Sequence, residues 1–211
     1  MGGAERLDHG RWSRLWRRLD AKGDGLSIFG QLSAAYAEPA RAYHTAEHIE
    51  DCLTQLDQSQ GAAQHPDEVE TAIWFHDAVY LPGSPDNEDR SAHLARSTLV
   101  ESGVPAPLAD RIAELILTTR HVVIPTDRDA ALLCDIDLSI LGTPPDAFAE
   151  FECRIRREYA WVPEPVYRSA RSEILRGFLG RRAIYQSDGF RSRYEGQARQ
   201  NLERLVAKLS G

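Results

Sequence analysis

Apolar residues recur at helical spacing along nearly the whole chain, and no segment shows the alternation typical of a half-buried strand. The first clear case is Trp12, Leu15, Trp16 and Leu19, which share one helical face. Comparable patterns predict further helices over about residues 26–37, 45–58, 66–78, 86–103, 106–120, 128–140, 145–160, 164–179 and 190–209. The sequence therefore predicts an all-α fold of roughly nine or ten helices.

Proline and glycine mark the ends of these helices. Pro39 ends the second, Pro66 opens the fourth, and Gly103 and Gly142 end two later ones. No internal repeat, low-complexity tract or long linker separates the helices. We therefore expect a single domain over residues 1–211.

Composition narrows the possible partners and compartment. The chain carries 32 acidic residues against 25 Lys and Arg, a net charge of -7, which disfavours binding to duplex nucleic acid. It lacks an apolar run of membrane-spanning length and an opening stretch with the order of a signal peptide. Its three cysteines form no CxxC motif or disulfide framework. We expect a cytoplasmic monomer or homodimer that does not bind a membrane.

Three separated segments place metal-binding side chains in apolar surroundings. His76 and Asp77 directly follow the apolar run 72–75. His44 and His48 lie one helical turn apart upstream, and the pair Asp135 and Asp137 interrupts an apolar segment downstream. Buried titratable side chains are costly unless they are paired or bound to a metal. Imidazole and carboxylate without thiolate suit a catalytic metal that keeps positions open for water and substrate.

Each element alone has a simpler explanation. His44 could cap the helix that follows it, Asp135 could pair with an arginine, and a His-Asp dipeptide is common by chance. The combination of all these elements in one helical chain favours a metal site. The expected cofactor is one divalent ion, with Mn, Mg, Co, Ni, Fe and Zn all compatible with these ligands.

The order His, His-Asp and Asp along helices resembles the HD-domain superfamily of metal-dependent phosphohydrolases. The resemblance covers residues of about 41–142, leaves a helical C-terminal extension, and is strongest to a group of small bacterial predicted HD phosphohydrolases. The chain is also locally similar to the cyclic-nucleotide phosphodiesterase core in the segments Tyr43–His48, His76-Asp77 and Asp137–Ser139. Thr45 stands where that core usually has Asn.

The resemblance implies roles for these residues. His48, His76, Asp77 and Asp137 would bind the metal, and Asp77 would also orient or deprotonate the attacking water. His44 would protonate the leaving oxygen. The alternative, with His44 as ligand and His48 outside the coordination shell, stays open. Asp135 would orient a ligand or a helix end.

Three further residues are candidates for supporting roles. Glu88 could hold a metal-bound water or a second ion, and Arg90 could bind a phosphate, although both also suit an ordinary first helical turn. His121 ends a predicted helix and resembles an additional His of two-metal HD proteins. We expect it to contact the substrate, while a cation stabilised at a helix C-terminus is the alternative.

The function expected from these features is hydrolysis of a phosphomonoester or phosphodiester, with a small phosphorylated substrate that is a nucleotide. One rival is a non-catalytic module that senses a nucleotide through the same metal and pocket. The presence of His44 favours the enzyme, because a sensor needs no proton donor. A second rival is a di-iron oxygenase, for which His121 alone offers little support.

Overall fold

The structure is a computed structural model that describes residues 7–210. Within that range it contains helices, turns and no strand, so the all-α prediction is confirmed. The α-helices longer than one turn among these residues are α1 (His9–Arg18), α2 (Leu26–Ala35), α3 (Ala46–Gln58), α4 (Pro66–Phe75), α5 (Asn87–Glu101), α6 (Ala106–Thr118), α7 (Arg128–Asp137), α8 (Pro145–Glu158), α9 (Glu164–Leu179) and α10 (Gly196–Ser210). The 3-10 helix Leu138–Gly142 follows α7. The turn Asp188–Phe190 and the π-helix Arg191–Glu195 precede α10.

Two predicted helices change type along their length. The helix predicted over 128–140 is α-helical only to Asp137 and then tightens into the 3-10 segment. The one predicted over 190–209 begins with a π-helical stretch. These segments pack closely, since a Cβ added to Gly142 would lie only 2.5 Å from the Cβ of Tyr194. The hydrophobic pattern locates such helices, but it does not distinguish α, 3-10 and π hydrogen bonding.

The contacts divide the chain into two compact units, Met1–Leu133 and Cys134–Gly211, and the division falls within α7. The single-domain organisation stays a prediction. We describe the two units separately below.

The first unit is built around α4. This helix packs against α1, α3, α5 and α6, and its residues from Val69 to Phe75 are all buried. The Trp74 ring meets Trp12 of α1 edge-on at 5.3 Å, and the Tyr36 hydroxyl donates to the Trp74 carbonyl at 2.9 Å. Pro66 occupies the first turn of α4, where its missing N–H is not needed. The chain therefore leaves this buried helix at His76, inside the core of the unit.

The second unit centres on α10, which packs against α9 and the 3-10 helix. Asn201 of α10 donates from its side-chain nitrogen to the carbonyls of Leu141 and Thr143, each at 2.9 Å. The buried Tyr185 donates its hydroxyl to the Leu138 carbonyl at 2.9 Å. The Asn201 bonds reach carbonyls at the end of the 3-10 helix, where partners within the helix run out, and the Tyr185 bond holds its first residue. None of the helices in residues 7–210 is both long and apolar enough to span a membrane.

Candidate metal centre

His76 is held in one tautomer by the end of α4. Its ring is only 2 % exposed, and Nδ1 lies 2.9 Å from the Ile73 carbonyl oxygen. A carbonyl can only accept, so Nδ1 carries the proton and donates it. In the neutral ring Nε2 then has a lone pair, which faces His48 and Asp77. A histidine whose second nitrogen donates to a carbonyl has the usual arrangement of a metal ligand.

His48 and Asp77 direct further donor atoms to the same point. His48 is buried in the first turn of α3, and its Nε2 lies 3.2 Å from His76 Nε2. Asp77 Oδ2 lies 3.1 Å from His76 Nε2 and 3.6 Å from His48 Nε2. In the neutral ring the one proton of His76 is at Nδ1, so its Nε2 and the carboxylate oxygen are then two acceptors in contact. Such a contact is repulsive unless a proton or a metal ion lies between them.

The separations of these three atoms fit a shared divalent ion. Two ligand atoms bound at about 2.0–2.2 Å from one ion lie roughly 2.8–3.6 Å apart in tetrahedral or octahedral coordination. The three observed separations fall in this range. The carbonyl end of α4 also carries partial negative charge, which favours a cation beside His76. His48, His76 and Asp77, here called the metal triad, therefore have the chemistry and spacing of a metal site.

The charges around Asp77 lower the pKa of its carboxyl group. Burial alone would raise this pKa. Without an ion, a proton on His76 Nε2 takes the place between that nitrogen and the carboxylate, and the positive charges of His76 and His44 outweigh the effect of burial. The hydrogen bond from His76 and the charge of His48 act in the same direction. The carboxyl pKa consequently lies well below its ordinary value. A carboxylate that stays ionised in a half-buried position is suited to ligate a cation.

Asp137 is the last residue of α7 and is half-buried. A carboxylate is a hard oxygen donor of the kind that divalent ions accept. The complete four-residue ligand set stays a prediction.

His44 lies in the turn just before α3, so it does not share a helix with His48. Their ring centroids are nevertheless 6.1 Å apart. The His44 ring stacks on Tyr80 at 4.1 Å and meets Tyr43 edge-on at 5.1 Å. Aromatic rings on two sides fix the orientation of this imidazole near the metal triad. Its role as proton donor stays a prediction.

A buried arginine, Arg41, joins the two segments that carry the triad. Its side chain is 1 % exposed, and Nη1 donates to the Asp77 carbonyl at 2.6 Å and to the His44 carbonyl at 3.2 Å. Nη2 donates to the Ala78 carbonyl at 3.2 Å. The guanidinium thus ties the turn before α3 to the turn after α4. Sequence reasoning missed Arg41, because no local sequence pattern indicates that an arginine will bond to backbone carbonyls 36 and 37 positions away.

Asp135 has partners of a different kind. Its two carboxylate oxygens accept hydrogen bonds from the backbone amides of Gln186 and Ser187, both at 2.7 Å. Burial raises the pKa of Asp135, and these bonds only partly offset that effect. Ser187 is the N-cap of the turn Asp188–Phe190, so the carboxylate holds the start of that turn. A link from Asp135 to a metal ligand stays a prediction.

The remaining residues with predicted supporting roles are Glu88, Arg90 and His121. Glu88 is half-buried and Arg90 exposed in the first turn of α5. Within the described residues neither is hydrogen-bonded or ion-paired to the triad. His121 follows α6 in a left-handed conformation, with φ of 56°. Histidine is among the residues that adopt this conformation more readily than most. The proposed roles of all three stay predictions.

Comparisons with known families, with curated proteins and with solved structures give no match. The chemistry of this centre is therefore inferred from its own residues.

Proposed function

We propose that this protein is a metal-dependent phosphohydrolase that cleaves a phosphomonoester or phosphodiester bond, with a nucleotide as substrate. One observation carries the proposal: Nε2 of His48, Nε2 of His76 and Oδ2 of Asp77 converge at separations of 3.1–3.6 Å. The resemblance of the motif order to HD-domain phosphohydrolases supports the same reaction class.

The metal triad, with Asp137 as fourth ligand, would hold one divalent ion. In such a site a divalent ion would lower the pKa of a bound water and neutralise phosphoryl oxygens. Four protein ligands would leave positions open for water and substrate. The identity of the ion is open among Mn, Mg, Co, Ni, Fe and Zn, since all accept imidazole and carboxylate.

Asp77 and His44 would handle the two proton transfers, at the attacking water and at the leaving oxygen. Asp77 remains ionised, so one oxygen can ligate while the carboxylate orients or deprotonates the attacking water. His44, stacked on Tyr80 beside the triad, donates a proton to the departing oxygen. Arg41 keeps the two turns at a fixed separation through its bonds to the His44 and Asp77 carbonyls. These roles together favour hydrolysis over simple metal storage, which needs no proton donor.

The decisive experiment combines metal analysis with a substrate screen. The protein is stripped with a chelator and reloaded separately with each of the six candidate ions, and bound metal is counted by mass spectrometry. Each form is then tested on nucleoside mono-, di-, tri- and cyclic phosphates and on nitrophenyl phosphate esters. We expect one ion per chain and phosphate release that requires it.

The outcomes separate the rival functions. His93→Ala, an exposed histidine on α5, serves as the control and should keep both metal and activity. Metal binding without hydrolysis of any ester would identify a sensing module. Absence of bound metal under all loading conditions would refute the proposed site as well as the function.

A further inference from the structure

A second concave site lies wholly within the second unit, among α8, α9 and α10. It is a cavity of about 390 Å³. Its lining is mostly apolar and includes Phe148 of α8 with Leu205 and Leu209 of α10. Cavities of this size and character are typical of sites for small organic ligands. None of the residues assigned to the metal centre lines it.

Basic side chains surround this apolar lining. Arg168, Arg204 and Lys208 all contribute to it, and the last two lie four residues apart on one face of α10. Among the described residues, no carboxylate forms an ion pair with these three cations. Within residues 7–210, Arg204 donates only to the Gln200 side chain, at 3.0 Å. The cavity therefore presents uncompensated positive charge in a chain whose net charge is -7.

The two acidic residues of the lining do not cancel this charge, because each already has its own arginine. Glu152 pairs with Arg171, and both side chains are largely buried, at 12 % and 14 % exposure. Glu164 accepts from Arg156 Nε at 3.0 Å. Pairing of this kind leaves the remaining guanidinium and ammonium groups to attract an anion.

The walls of the cavity are held in place before any ligand arrives. Arg168 donates to the carbonyls of Lys208 and Leu209, at 2.9 Å and 3.1 Å, and so fixes the end of α10 against α9. The guanidinium of Arg156 lies 4.5 Å over the Tyr167 ring. Because these side chains are already ordered, they lose little conformational entropy when a ligand binds.

We propose that this cavity binds a small amphipathic anion, with its apolar body against Phe148 and Leu205 and its anionic head group at Arg204 and Lys208. Apolar lining and unpaired cations together select this class, since a neutral apolar ligand would leave the cations unused. A cationic amphiphile would be repelled. The site is independent of the metal centre, so neither proposal depends on the other.

Cys153 provides a direct reporter, because it is exposed and lines the cavity while Cys52 and Cys134 are buried. Alkylation of Cys153 in the native protein is timed by mass spectrometry with decanoate, decanol or decyltrimethylammonium, all below their aggregation limits. We expect decanoate to slow the labelling and raise the melting temperature. The other two, which share its chain but not its charge, should have little effect at the same concentration.

Charge variants test the head-group contacts. Arg204→Gln with Lys208→Gln should raise the decanoate concentration needed for half protection by about tenfold or more, because hydrogen bonds to charged groups are lost. The control Arg17→Gln with Arg182→Gln removes the same charge from exposed positions outside the cavity and should leave protection unchanged.

Three results would overturn the proposal. Equal protection by decanol would show that the cations do not select the ligand, and absence of protection at any concentration would exclude the class. Labelling that slows as the protein concentration rises, without added decanoate, would instead make this face a contact between two copies of the chain.

Discussion

Asp77 and Asp135 are two aspartates in apolar surroundings whose partners differ in kind. Asp77 meets the side chains of His48 and His76, at 3.6 Å and 3.1 Å from its Oδ2. Asp135 meets two backbone amides, each at 2.7 Å. The surrounding charge lowers the pKa of the first carboxyl, whereas burial raises the pKa of the second. The sequence context of the two is alike, so the partners decide what each carboxylate does.

The difference separates Asp77, the proposed metal ligand, from Asp135, which anchors a turn. Amide protons are permanently attached, so the hydrogen bonds of Asp135 are complete and leave that group little reason to bind an ion. Imidazole nitrogens can exchange a proton for a metal, so the partners of Asp77 need a cation to complete them. We therefore expect loss of Asp77 to affect metal and reaction, and loss of Asp135 to affect stability.

The largest expected effect comes from Asp77→Asn. This change keeps the size of the side chain but removes the charge, so metal binding should fall sharply and metal-dependent hydrolysis should disappear. His76→Ala should do the same, because it removes the adjacent donor atom. Both variants should also lose the rise in melting temperature that added metal gives the parent, since the ion binds only the folded state. Metal content and phosphate release measure the effect, with His93→Ala as control.

Full activity of either variant with metal present would contradict the assignment of Asp77 as a metal ligand. The carboxylate would then be a structural group like Asp135, paired with protonated histidines rather than with an ion.

How much of this centre the sequence could predict depends on how far apart the interacting residues lie along the chain. The apolar run of α4 followed by His76 and Asp77 predicts a buried segment that carries candidate metal ligands, and the structure brings His48 to it. The amides that hold Asp135 come from residues 51 and 52 positions later, and no local pattern specifies that pairing. Helical periodicity likewise predicted the fold class, because it follows from local burial on one face.

The next largest effect distinguishes His44 from His48. His44→Ala should keep the metal but lower the rate by about 10²–10⁴, the usual contribution of a general acid. The loss should shrink for nitrophenyl esters, whose leaving group departs without a proton. His48→Ala should lose metal, and a better leaving group should not restore activity. A metal-free His44→Ala beside a metal-loaded His48→Ala would exchange the two roles.

Arg41 offers an intermediate test, because it touches Asp77 only through the backbone. Arg41→Lys keeps the charge but cannot reach the carbonyls of His44, Asp77 and Ala78 together. We expect a loss of about 10–100-fold in metal affinity or kcat, as for other groups that orient ligands. Partial rescue of Arg41→Ala by added guanidinium would show that position, not charge alone, is what Arg41 supplies. An unchanged kcat and metal affinity in Arg41→Lys would exclude this role.

The smallest effect on activity is expected for Asp135→Asn. The new amide oxygen can still accept from one backbone N–H, but its NH₂ group faces the other, so one buried donor loses its partner at a cost of about 1–3 kcal/mol. For a chain of this length the melting temperature should fall by about 2–12 °C. Metal content and kcat should stay within about threefold of the parent, because the carboxylate acts on the turn at Ser187 and not on the ion. Calorimetry and metal analysis on the same sample decide the point. A variant that melts like the parent but loses its metal would place Asp135 with Asp77, and the distinction between amide-bound and imidazole-bound carboxylates would fail.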